Sequence, residues 1–132
     1  MTTTINASPS NGIVQTADGS GVMKLQSNGV TTNALAWVNF DGTTSPGTIR
    51  SAYNVSSVTR NATGVYTANF TNTLSDANYA TLLTLADTGT SNAFYATFYS
   101  GSTYSTSAVQ FQTVNNTTRV NSNIVTCAIF GN

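Results

Sequence analysis

The sequence predicts an all-β fold: a β-sandwich of jelly-roll-like type preceded by an extended N-terminal arm. Three observations predict it. Short runs rich in Val, Ile, Thr, Tyr and Phe recur along the chain, separated by clusters of Gly, Asn, Asp and Ser at roughly hairpin spacing. Where the pattern is clearest its period is two: in Ser107–Val114, Val109 and Phe111 face one way and Gln110 and Gln112 the other. No segment sustains a helical period.

Residues 1–12 are polar, contain Pro9 and Gly12, and show no core-forming pattern. Residues 13–35 alternate short β-like pieces with turns. Asp18-Gly19-Ser20-Gly21 marks one turn before Val22-Met23-Lys24-Leu25-Gln26, and Asn28-Gly29 marks a second. Residues 1–34 therefore read as an arm or small β segment for assembly or anchoring. Ile5, Ile13, Val14, Val22 and Leu25 are its apolar candidates for that role.

From residue 35 to 132 the expectation is one sandwich domain. Its strands are predicted at 35–40, 48–60 (bent or split), 63–71, 78–86, 93–100, 106–114 and 122–130. In the first, Trp37 and Asn39 face opposite to Val38 and Phe40. In 78–86, Tyr79, Leu83 and Leu85 share a face, with Leu82 opposite. Ile124–Phe130 is apolar on both faces, which places it centrally or at a subunit interface. Asn54 and Asn78 flank strand starts, where an amide can bond backbone. Arg50 and Arg60 have Asp41, Asp76 or a neighbouring subunit as possible partners.

A chain of 132 residues points to one domain. Thr, Ser and Asn supply 56 residues and charged residues only 6%. Six Tyr, six Phe, one Trp and many aliphatic residues nevertheless favour a packed β protein over disorder. There is no His and no Glu, and the formal net charge is zero. Nucleic-acid binding, which needs a basic surface, is not expected. A near-neutral surface also gives little protection against self-association. Cys127 is the one cysteine, so an intramolecular disulfide and Cys-based zinc sites are excluded, and it reads as a small buried hydrophobe. Met1–Asn6 lacks the features of a signal peptide, and no apolar run reaches membrane-spanning length. The expectation is a chain made in a cytoplasm that inserts in no membrane.

Several motifs touch on catalysis. Asp87-Thr88-Gly89-Thr90 resembles the Asp-Thr-Gly loop of aspartic proteases, and Ile129-Phe130-Gly131 faintly resembles a C-terminal element of that family. That chemistry needs two carboxylates sharing a proton, so one copy would have to work as a dimer. The simpler reading is a hairpin turn with Gly89 at positive φ. Asp41 and Asp76 are the other carboxylate option, a glycosidase pair, yet both sit in turn sequences where Asp bonds its own backbone. Serine catalysis lacks a His base. No spacing matches a calcium loop, so neither metal nor cofactor is expected, and the expected protein is not an enzyme.

Aromatic residues are the binding candidates. Phe94, Tyr95, Phe98, Tyr99 and Tyr104 fall close together, and a strand puts Tyr95 and Tyr99 on one face and Phe94 and Phe98 on the other. Two readings stand. Tyr95, Tyr99 and Tyr104 stack on a sugar whose hydroxyls meet Asn115 and Asn116, or the tyrosines pack against neighbouring strands or a sister subunit.

An ordered set of blocks names a family. These are Ala36-Trp37-Val38-Asn39-Phe40-Asp41-Gly42, Asn54-Val55-Ser56-Ser57-Val58, Gly64-Val65-Tyr66-Thr67-Ala68-Asn69-Phe70 and Asp76-Ala77-Asn78-Tyr79-Ala80. Together they resemble the C-terminal domain of tailed-bacteriophage tail fibres and related virion surface proteins. Ser20-Gly21-Val22-Met23-Lys24-Leu25-Gln26-Ser27-Asn28-Gly29 is similar to a run those fibres often carry upstream of the tip. The resemblance implies a homotrimeric, non-enzymatic component of the virion. It would contact other phage structural proteins of the tail or capsid, and a host-surface glycan. The sequence contains no long shaft, and a small trimeric β protein with an anchoring arm also matches a capsid decoration or cement protein. A hydrolase using Asp87, or Asp41 with Asp76, is the third reading.

Overall fold

The computed structural model describes residues 24–86, 94–102 and 104–131. Ile5, Ile13, Val14, Val22 and the Asp18 turn lie outside these residues, as does the Asp87-Thr88-Gly89 loop. Leu25 lies inside them and is largely exposed.

Asn28 and Gly29 both take positive φ, 52° and 78°, as a two-residue hairpin turn requires. They join β1 (Gln26–Ser27) to β2 (Val30–Thr31), with Ser27 opposite Val30. This hairpin is a sheet of its own.

The remaining strands are β3 (Ala36–Asp41), β4 (Thr48–Tyr53), β5 (Val55–Ala62), β6 (Val65–Phe70), β7 (Ala80–Ala86), β8 (Phe94–Phe98), β9 (Ala108–Asn115), β10 (Thr118–Arg119) and β11 (Ile124–Phe130). Every strand expected between residues 35 and 130 forms, with ends moved by a few residues, and β10 is an addition. All ladders are antiparallel. One sheet has the order β4-β3-β11-β7. The other runs β10-β9-β6-β5, with β8 on the opposite edge of β9. β3–β4 and β5–β6 are sequential hairpins within one sheet, whereas the expected jelly-roll-like wrap sends most consecutive strands to opposite sheets. The short turn at Thr63-Gly64 folds β6 straight back along β5, which favours the hairpin.

The predicted 48–60 strand is split, and Asn54 is the joint. It is buried, with φ of 53°. Its Nδ2 donates to Leu35 O and Asn72 O, each at 3.2 Å, and its Oδ1 accepts from Asn72 N at 2.8 Å. A short side-chain amide thus replaces the ladder where the chain passes from one sheet to the other.

The core lies between the facing sheets. Val38 and Phe40 from β3 and Val125, Cys127 and Ile129 from β11 meet Val58, Tyr66, Ala68, Val109 and Phe111 from the other sheet. Phe40 packs on Tyr66 and Phe111 with ring centroids 5.1 and 6.2 Å apart. The buried Tyr66 hydroxyl lies 3.0 Å from Gly42 O and 3.1 Å from Asn121 Oδ1, so its polar end is satisfied. Burial pushes its phenol above the usual range. Leu83 and Leu85 pack against this core while Leu82 is exposed, as the alternation predicts.

Strand β11 is central, between β3 and β7. Its inner side is buried, but Ile124 and Phe130 each remain 39% exposed. Cys127 is 2% exposed, and burial pushes its thiol up to about 12. The folded protein is therefore expected to resist a thiol-specific disulfide reagent near pH 8 and to react fully after urea unfolding. Rapid modification of the folded chain would contradict this packing.

Candidate functional site

The outer face of the five-stranded sheet carries the sequence-predicted tyrosines. Register places Tyr95 opposite Val114, Thr97 opposite Gln112 and Gln110 opposite Thr67. Val114 faces Arg119 on β10. On the far strands, Asn69 lies opposite Ser57 and Thr67 opposite Thr59. Period-two alternation sends all of these to the side away from the core.

The polar groups of this face are linked. Gln110 Nε2 lies 3.5 Å from Thr67 Oγ1, which donates to Asn61 Oδ1 at 2.9 Å. Asn69 Nδ2 donates to Ser57 Oγ at 3.0 Å and to Thr59 Oγ1 at 3.2 Å. Arg119 Nε donates to Gln112 Oε1 at 2.9 Å, and its guanidinium carbon sits 4.7 Å from the Tyr99 ring centroid. Tyr95 is 44% exposed, with its hydroxyl donating to Asn116 O at 2.9 Å. Two fixed aromatic rings, one guanidinium and a network of amides and hydroxyls form a recognition surface. They present hydrogen-bonding groups at low entropic cost, because the network already holds them.

The predicted residues divide. Tyr95 and Tyr99 belong to this face, and Asn116 meets it through its backbone carbonyl. Tyr104 does not: its ring packs on Tyr79 at 4.9 Å and on Phe98 at 4.7 Å, on the core side of β8. Asn115 pairs with Phe94 and shares the parity of Phe111 and Thr113, and its Oδ1 is buried without a partner. Sequence reasoning missed Arg119, Gln110, Gln112 and the Thr67–Asn69 row. The signal was present: Gln110 and Gln112 oppose the core residues of β9, and Asn115-Asn116 starts a turn that returns Arg119 alongside.

The carboxylates are not brought together. Asp41 ends β3 at the edge where β11 begins, whereas Asp76 lines an open groove of ≈ 480 Å³ with Val30, Thr31, Asn78, Phe130 and Gly131, where β11 ends. Five residues of β3 separate these ends, about 17 Å, against roughly 5–10 Å for a glycosidase pair. Both aspartates serve their turns. Asp41 Oδ1 accepts from Thr43 N at 2.9 Å and from Thr43 Oγ1 at 2.6 Å; Asp76 Oδ1 accepts from Asn78 N at 2.7 Å. Arg50 reaches Asp41 at 3.3 Å, while Arg60 donates to Thr43 O at 2.8 Å. Strands β7 and β8, which flank the Asp87 loop, lie in different sheets and share no ladder among the described residues, unlike the arms of the expected hairpin.

The Thr43 hydrogen bonds, with Arg50 as a smaller influence, hold the Asp41 carboxyl below its ordinary 3.8. Its stabilising contribution is therefore fully present above that value and lost as pH falls through the lowered folded-state value. Asp41→Asn is expected to be less stable than the parent at about pH 6, with the gap closing at about pH 2.5. Urea midpoints at both pH values measure this, and a gap independent of pH would refute it.

No family model matches the chain, and no curated protein or solved structure matches it significantly.

Proposed function

We propose that this chain is a non-enzymatic surface component of a tailed-bacteriophage virion, of the tail-fibre-tip class, that attaches the particle to host-surface glycans. In this reading it is a homotrimer. Its arm, residues 1–34, intertwines with sister chains or docks on other structural proteins of the particle.

The observation that carries the reading is the contrast between the two outer faces of one sandwich. The five-stranded sheet presents the tyrosine, amide and hydroxyl surface described above, the chemistry of a glycan contact. The four-stranded sheet presents Trp37, Leu82, Ile124 and Phe130, all more than a third exposed. Leu82, Ala128, Trp37 and Tyr53 form one row across its four strands. The charges on this face, among the described residues, are the paired Arg50 and Asp41 at one end. The row from Leu82 to Tyr53, with Phe130 beside it, is an apolar patch of the kind that marks an interaction surface, and the row of Thr84, Thr126 and Asn39 parts it from Ile124. A chain of zero net charge does not repel its own copies there.

Antibody labelling of purified virions, using serum against residues 35–132, tests the assignment. Label at tail or fibre ends is the expected result. Label spread over the head would make the protein a capsid decoration component and overturn the attachment reading. Absence of label from the particle would overturn both.

A further inference from the structure

We propose that the outer face of the five-stranded sheet selects saccharides that carry a carboxylate, with Arg119 receiving the acid group. The inference rests on the attachment reading and adds the chemical class of the ligand.

Arg119 is the one charged side chain of this face among the described residues. Elsewhere Asp41 is taken by Arg50, and Asp76 sits in the groove at the Phe130 end of the other sheet. No described carboxylate pairs with Arg119. Its Nε is held by Gln112 Oε1 and its guanidinium carbon sits 4.7 Å over the Tyr99 ring centroid. Those two contacts fix the fork and leave both Nη groups without a partner among the described residues. A fixed guanidinium with its two outer nitrogens unpaired matches the two oxygens of a carboxylate.

The surroundings specify a sugar acid rather than a bare anion. Tyr95, Val114 and Arg119 form one row across three adjacent strands, so the backbones of Tyr95 and Arg119 stand two strand spacings apart, about 10 Å. Val114 between them is only 5% exposed and lies beneath this surface. Gln112 occupies the next row beside Thr97, offering an amide to ring hydroxyls. The exposed Tyr95 ring, fixed by its bond to Asn116 O, supplies a stacking surface on the same face as the guanidinium.

Isothermal titration of the full chain with tetragalacturonate, its fully methyl-esterified form and an α2,8-linked sialic acid tetramer tests the proposal. The methyl ester keeps the rings and removes the charge. At least one acidic tetramer is expected to bind, and Arg119→Gln to weaken it by about tenfold or more at unchanged melting temperature. If tetragalacturonate is the ligand, its ester is expected to bind about tenfold or more weakly. Tyr95→Ala is expected to weaken acid and ester alike. Equal binding of tetragalacturonate and its ester, or indifference to Arg119→Gln, would overturn acid selection while leaving glycan attachment standing. Complete displacement by equimolar acetate would overturn it by showing a simple anion contact. Absence of binding by every tetramer would overturn it too, and the virion labelling would still decide the attachment reading separately.

Discussion

Gly64→Ala is expected to remove a large share of the stability of this protein. Gly64 closes the β5–β6 turn with φ of 65°. Its N–H donates to Asn121 Oδ1 at 2.8 Å, and its carbonyl accepts from Thr113 N at 2.8 Å. The turn is thereby pressed beneath the β9–β10 return. An added Cβ would lie 2.7 Å from Thr113 O, 2.7 Å from Val120 N and 2.8 Å from Val120 O. All three are backbone atoms, so no side-chain rotation relieves the overlap. The left-handed conformation alone costs an L-residue about 1–2 kcal/mol. Moving the return also weakens the Thr113–Val120 contact. A total of about 4 kcal/mol or more is expected, a large share of a typical domain's 5–15 kcal/mol or so. Thermal unfolding followed by circular dichroism should show a fall of roughly 10 °C or more. Gly29→Ala is the control. Its φ is 78°, yet nothing lies within 4 Å of its added Cβ. It should lose only the conformational term, about 1–2 kcal/mol. Equal losses at the two positions would refute the close approach at Gly64.

Leu82→Arg is expected to convert the proposed assembly to single chains. Leu82 is 60% exposed in the isolated protomer and stands in one row with Ala128 and Trp37. Burial of such a side chain against a sister chain contributes about 1.5–3 kcal/mol. An unpaired guanidinium in its place adds a desolvation penalty of several kcal/mol. In a closed ring every interface takes the penalty, so the loss multiplies. Light scattering after size exclusion should report the mass of three chains for the parent and 13.8 kDa for the variant. The melting profile of the monomeric fold should change little, because the site is on the surface. Thr59→Arg, on the outer face of the other sheet, should leave the mass unchanged. A parent of 13.8 kDa would sink the assembly proposal, as would a variant that still assembles.

Some of this was legible from residues alone. Alternation in Ser107–Val114 and Asn78–Ala86 correctly assigned inner and outer sides, because side-chain direction in a strand depends on nothing beyond the backbone. Asn28-Gly29 identified its hairpin because few residue pairs tolerate two positive φ angles. Asn54 was recognised as a backbone-bonding amide, but its partners Leu35 and Asn72 lie 19 and 18 positions away and no local pattern names them. Tyr104 was grouped with Tyr95 and Tyr99 because they are close in sequence, and the segment after β8 carries it to the opposite side.

Residues alone are enough to show that the chain is built of strands, where most of them lie, which side is apolar in those that alternate clearly, and that Cys127 is buried. Those properties follow from backbone geometry and side-chain chemistry within a few residues. Long-range packing set which strands are neighbours, and with that the composition of each outer face. It brought β3 beside β11 and Arg119 beside Gln112 and Tyr99, and it parted Asp41 from Asp76. Ladder order is settled by burial between sheets and by joints such as Asn54, which act between residues far apart in the chain.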